Sequence, residues 1–111
     1  MKKATYRISR AALQDLKSIW IYTNQKLSHA QADRYYKLII EEIEYLSLNE
    51  NAGKSMEHVK PGYKMSKVIS HLIFYRASEN KVMEIIRILH QRFDFGISGC
   101  NLFFPIFIKV K

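Results

Sequence analysis

The sequence is short of cysteine, of acidic residues and of any long apolar run, and each shortage excludes something. With a single cysteine, Cys100, no intrachain disulfide can form, which fits a reducing compartment. Zinc sites built on cysteine are excluded, and the four histidines do not fall at ligand spacing, so neither metal nor cofactor is expected. No stretch approaches the ~20 consecutive apolar residues of a membrane span. The basic N-terminus, Met1-Lys2-Lys3-Ala4-Thr5-Tyr6, lacks the apolar core of a secretory signal. A soluble cytoplasmic protein is expected. Ten acidic residues against 18 basic ones leave a formal charge of +8. Such an excess favours nucleic acid, an acidic protein or an anionic surface as partner, and otherwise serves solubility. Repeats and low-complexity segments are also missing.

What is present is enough for one domain. The chain has 111 residues, 48% of them hydrophobic, a composition that buries a core and does not belong to a disordered chain. Its organising stretch is His71 to Arg92. Leu72-Ile73-Phe74-Tyr75 is β-branched and aromatic, Ser78-Glu79-Asn80-Lys81 is a polar break, and Val82 to Leu89 is a second apolar run. Two such runs around a short polar loop predict a β-hairpin. Neither run alternates cleanly, and Ile85-Ile86 and Ile88-Leu89 place apolar groups on both faces, as a central strand requires.

Upstream, Tyr6 and Ile8 alternate with Thr5 and Arg7, which predicts a first strand over 4–9. Ser9 is a candidate N-cap. Leu13, Leu16, Ile19, Trp20 and Thr23 follow at helical spacing and predict a helix over 10–25, with Trp20 as a core anchor. Ser28-x-x-Gln31 has the form of a capping box. Ala32, Tyr36, Ile39, Ile43 and Leu46 then predict a second helix over 29–48, antiparallel to the first. Residues 49–60 read as irregular, and Pro61-Gly62 marks a turn. Strands are predicted over 63–69, 71–77 and 82–90. The order is β-α-α-β-β-β: a single α+β domain whose largely antiparallel four-stranded sheet is packed by a helical hairpin. Trp20, Leu16, Ile39, Ile43, Phe74 and Ile86 are expected to be buried together. After Arg92 the character changes. Phe93 to Cys100 is punctuated by glycine, and Leu102 to Ile108 is almost wholly apolar, interrupted only by Pro105. Such a segment is aggregation-prone, and removing 97–111 is expected to leave the fold intact.

The polar residues with chemical potential lie on the hairpin: Arg76, Arg87, His90 and Arg92, with Lys64 and Lys67 on the strand before it. Cations around one imidazole could serve phosphate chemistry. The plainer reading makes Arg87 a paired residue inside an apolar strand, His90 a packing residue at a strand end, and the remainder solvated cations.

Four stretches together resemble the ParE branch of the RelE/ParE superfamily of toxins from bacterial type II toxin–antitoxin modules. They are Ala12-Leu13-Gln14-Asp15-Leu16 with Ile19-Trp20-Ile21-Tyr22; Ala32-Asp33-Arg34-Tyr35; Gly53-Lys54-Ser55 with Pro61-Gly62-Tyr63; and His71-Leu72-Ile73-Phe74-Tyr75-Arg76 with Ile86-Arg87-Ile88-Leu89-His90-Gln91-Arg92-Phe93-Asp94. The resemblance makes 1–94 a RelE/ParE-like toxin domain and leaves 95–111 as an atypical apolar C-terminal tail, unlike the short polar ending usual in the family. It implies a binding inhibitor of DNA gyrase, neutralised by a cognate ParD-like antitoxin whose acidic C-terminal segment wraps the toxin. The alternative is a RelE-like, ribosome-dependent mRNA endonuclease, for which Arg76, Arg87, His90 and Arg92 would be the catalytic candidates. Several such nucleases carry a late tyrosine in or after the last strand. Here the last tyrosine is Tyr75, and the inhibitor is the preferred reading. Tyr35 and Tyr36 are expected to serve the core or the antitoxin.

Overall fold

The structure is a computed structural model that describes residues 5–78 and 82–92. The expectations for the tail beyond Arg92, and for the turn at 79–81, lie outside the described residues.

Ser9 joins the first two elements. Its backbone N–H donates to Ile85 O at 2.9 Å and ends strand β1 (Tyr6–Ile8). Its hydroxyl accepts the N–H of Ala12 at 3.0 Å and so caps helix α1 (Arg10–Lys26). The same hydroxyl donates to Ile86 O at 2.8 Å, which ties the helix start to strand β5 (Met83–His90). Ser28 Oγ accepts Gln31 N–H at 3.0 Å, forming its half of the capping box that opens α2 (His29–Leu48). A 3₁₀ turn (Glu50–Ala52) and a two-residue strand β2 (Lys54–Ser55) follow, then β3 (Tyr63–Val68) and β4 (His71–Ala77). The α+β class and the element order agree with expectation.

Among the described residues the sheet has five strands in the order β1-β5-β4-β3-β2. Of these, β1 and β5 pair in parallel and the other pairings are antiparallel. The extra strand, β2, falls in the stretch read as irregular. Two residues show no periodicity, and β2 exists only because Lys54 and Ser55 meet Met65 and Lys64. Gly53, just before it, is obligatory for space: an added Cβ would stand 2.0 Å from the Tyr75 hydroxyl, which donates to Glu50 O at 3.1 Å. In Lys60-Pro61-Gly62-Tyr63, Gly62 has φ +83° and Tyr63 N–H donates to Lys60 O at 3.2 Å, the pattern of a type II turn.

Both faces of the sheet are apolar, and they form separate cores. Against the helices, Ala12, Leu16, Ile39, Ile43 and Leu46 pack on Ile73, Tyr75, Met83, Ile85 and Ile88. On the other face, Met56, Tyr63, Leu72, Phe74, Ile86 and Leu89 cluster beneath the loop that folds back from Met56. The expected six-residue core is therefore divided. Leu16, Ile39 and Ile43 lie on the helix side and Phe74 and Ile86 on the other. Trp20 belongs to neither: it lies between the helices, half-buried, donating its indole N–H to Asp33 Oδ1 at 2.9 Å. Leu13 and Tyr36, also expected on core stripes, are exposed. The inward residue is Tyr35, packed against the helix-side core.

The uneven apolar pattern of the last run has a geometric cause. Phe74 is opposite Arg87 but Tyr75 is opposite Ile85, so Ile86 is an extra residue on β5. This bulge restarts the alternation, which is how Ile85 and Ile88, three apart, reach the same face.

The β3–β4 turn contains only Ile69 and Ser70 between the paired Val68 and His71. Ile69 takes φ +53°, the left-handed region that a hairpin turn assigns to glycine. For a β-branched residue this costs about 1–2 kcal/mol.

Candidate functional site

The four hairpin candidates do not converge. Arg87 lies beside α1. Its Nε donates to Asp15 Oδ2 at 2.8 Å and its Nη2 to Asp15 Oδ1 at 3.0 Å, a bidentate pair with side chains only 12% and 14% exposed. Asp15 Oδ2 also accepts the N–H of Ile88 at 3.0 Å, so one carboxylate neutralises the arginine and satisfies the backbone of β5 beyond the reach of β1. Asp15 is the residue that reading the strand alone could not supply. The signal was Arg87 itself, a charge within an apolar run that requires a partner.

Arg76 has a different partner, on the loop-side face. There Arg7, Glu84, Arg76 and Tyr63 stand side by side across β1, β5, β4 and β3. Arg76 Nε donates to Glu84 Oε1 at 2.8 Å, and Arg7 Nη2 donates to Glu84 Oε2. Burial pushes the Glu84 carboxyl up, but Arg76 and Arg7 outweigh it and hold it below its ordinary 4.5. The Arg76 guanidinium lies 5.8 Å from the centre of the Tyr63 ring, and the Lys60 ammonium lies 5.6 Å from it. Burial raises the Tyr63 hydroxyl pKa, with Arg76 opposing.

His90 and Arg92 are exposed at the end of β5, where Arg92 N–H donates to His90 Nδ1 at 3.1 Å. Lys64 and Lys67 point to opposite faces of β3; Lys67 is exposed and Lys64 half-buried. The titratable group with the larger perturbation is one the sequence did not single out. His71 is paired across the strands with His90, their rings 5.2 Å apart edge to face. Burial, with the neighbouring His90, lowers its pKa from 6.5 to about 4, against a small opposing pull from Asp15. Its Nδ1 lies 2.7 Å from the Tyr35 hydroxyl. That hydroxyl also bonds Val68 O at 3.0 Å and accepts Ser70 N–H at 3.2 Å, so α2 holds the β3–β4 turn through one side chain.

Tyr35, His71 and His90 line a cavity of about 670 Å³ between the helical hairpin and the end of the sheet. A second cavity, about 700 Å³, runs along the outer seam of α1 and α2 past Leu13, Trp20 and Tyr36. No group of three or more His, Cys, Asp or Glu side chains among the described residues is arranged to hold a metal ion. Among the same residues, no helix is long and apolar enough to cross a membrane.

Residues 6–95 match the family described as "ParE toxin of type II toxin-antitoxin system, parDE". Among curated relatives, Toxin ParE1 of Caulobacter vibrioides is 37% identical over 86 residues, which cover 78% of this chain and 88% of the relative. Toxin ParE1 of Mycobacterium tuberculosis is 32% identical over 89 residues, covering 80% and 91%. A solved structure titled "Chromosomal ParDE TA system from P. aeruginosa" superposes with a TM-score of 0.69 at 22% identity, over 79% of this chain and 96% of that one, and shares its fold.

Proposed function

The chain belongs to the ParE toxin family of type II toxin–antitoxin systems, and from that premise we propose that it inhibits DNA gyrase by binding and is silenced by a cognate ParD-like antitoxin. Both partners would meet it in the cytoplasm. The observation that carries the binding reading is the state of the two strand arginines. Arg87 is engaged by Asp15 at the edge of β5 and Arg76 by Glu84 on the loop-side face. Cleavage of RNA through its 2′-hydroxyl needs cations, a base and an acid around one phosphate. Here each guanidinium faces its own carboxylate, and the imidazole of His90 is near His71 rather than either arginine. A +8 chain also suits an acidic antitoxin segment, because opposite charge speeds encounter.

The test uses His90→Gln, which keeps a polar side chain and removes proton transfer. Inhibition of supercoiling by purified gyrase should survive the substitution, with no cleavage of mRNA on translating ribosomes. Ribosome-dependent cleavage that falls about 10²–10⁴-fold in the variant, the usual contribution of a general acid or base, would make the chain a nuclease with His90 as its catalyst.

A further inference from the structure

The +8 charge is not spread evenly over the chain. Glu41, Glu42, Glu44 and Glu50 gather in the second half of α2 and the turn after it. The loop-side face of the sheet is basic instead. Lys54 is paired with Met65, Lys67 with Leu72 and Arg76 with Tyr63. Each of those partners packs in the loop-side core, and directly opposed residues share a face, so the three cations project on that side. Arg7 joins them through Glu84, and Lys60 stands over the Tyr63 ring from the loop. Cations therefore reach this face from both edge strands and from between them. The width is about 19 Å, four gaps of ~4.8 Å between neighbouring strands.

Their charge is only partly cancelled. Glu84 is shared between Arg7 and Arg76, which leaves one positive charge over. Glu57 of the loop accepts the N–H of Gly62 at 2.6 Å. Lys54 and Lys67 are exposed and enter no ion pair among the described residues.

The same face offers little to other ligands. Among the described residues, the exposed large apolar side chains lie on the helical hairpin and the β3–β4 turn, so a protein partner finds no apolar anchor here. Tyr63 and Phe74 are buried and present no ring to an unpaired base. Both helices pack on the opposite face, so neither is available here to enter a groove and read base edges. What remains is a field of cations suited to repeated phosphates, contacted without regard to sequence.

We propose that the loop-side face binds the phosphate backbone of duplex DNA independently of its sequence. Gyrase acts on duplex DNA, so a chain seated on that enzyme has this ligand within reach. That setting rests on the reading above; the DNA contact itself does not.

Fluorescence anisotropy of a short labelled duplex, titrated with the intact chain at several salt concentrations, tests the contact with no gyrase present. Two unrelated sequences should bind alike. The logarithm of affinity should fall against the logarithm of salt with a slope of about −3.6, the value for four phosphates at ~0.9 each. Lys54→Glu with Lys67→Glu should weaken binding about tenfold or more and roughly halve the slope. Lys54→Gln with Lys67→Gln, a milder change that guards against a folding defect, should halve the slope as well. Lys17→Glu with Lys37→Glu, both exposed on the helices, makes the same change in net charge away from this face, where salt screens it, and should alter affinity little. Melting temperatures should match the wild type throughout. A wild-type chain that leaves the duplex free at low salt would overturn the proposal. Equal weakening by the two glutamate pairs would also overturn it, because the attraction would then be to net charge alone. So would a single strand of the same length that binds more tightly than the duplex. A failure to inhibit gyrase would leave each of these outcomes unchanged.

Discussion

Two places on the sheet handle an arginine in opposite ways. At the edge of β5 beside α1, Arg87 is enclosed with Asp15, and the pair also closes the open backbone of β5. On the loop-side face, Arg76 shares Glu84 with Arg7, whose side chain is 64% exposed, in a row that meets solvent. The first pair is part of the packing; the second lies over it. The lesson is that a basic strand residue carries a functional claim only after its partner is known. Here the partners lie on other elements, 72 residues away for Arg87 and eight, across the hairpin, for Arg76.

The comparison breaks most sharply at Asp15. Asp15→Ala leaves Arg87 charged and enclosed and the Ile88 N–H without its acceptor, and should destabilise the domain by about 3–5 kcal/mol in urea unfolding. Replacing both partners with apolar residues of similar size should recover most of that loss, because the uncompensated charge is gone. Gly53→Ala comes next. The added methyl drives into the Tyr75 hydroxyl and must push the ring from the helix-side core or move the backbone, an overpacking cost of about 1–3 kcal/mol in the same assay. Glu84→Gln should cost less, about 1 kcal/mol or below, and the difference should shrink in high salt, since Arg7 is well exposed.

The faces also separate by pH. His71 has a folded pKa below its ordinary 6.5, so the unfolded chain binds the proton more readily. Its contribution is intact above pH 6.5 and is lost as pH falls toward about 4. Glu84 is likewise depressed, from 4.5, so its contribution is present above that pH and is lost as the pH falls through its lower folded pKa. Stability measured against pH should therefore decline in two stages. His71→Gln should flatten the upper stage, and Glu84→Gln the lower.

Much of the fold was legible because its signals are local. Ser9 and Ser28 announce helix starts through bonds to residues three ahead, and the apolar spacing of Ile39, Ile43 and Leu46 lies within one helix. What was not legible depends on distant partners. β2 is only a pairing with β3. The bulge at Ile86 appears only when β5 is laid against β4. Trp20 reads as a core residue by size and spacing, yet Asp33 on the next helix captures its indole at the seam. Tyr35 and Tyr36 are adjacent and chemically alike, and only packing against the β3–β4 turn selects Tyr35. Of the site, the cations were visible and a pairing was expected for Arg87, but the partners, Asp15 and Glu84, were not identified. His71 drew no notice as a titrating group because its depressed pKa comes from burial and a cross-strand histidine.

Binding in place of catalysis is the central claim, and stoichiometry tests it most directly. Supercoiling by a fixed concentration of purified gyrase is titrated with the intact chain, then with the chain mixed with its antitoxin. A binding inhibitor should reach full effect near equal amounts of chain and gyrase, and the antitoxin should abolish it. Supercoiling untouched by excess chain, beside mRNA cut on ribosomes by far less than one chain per ribosome, would contradict the account.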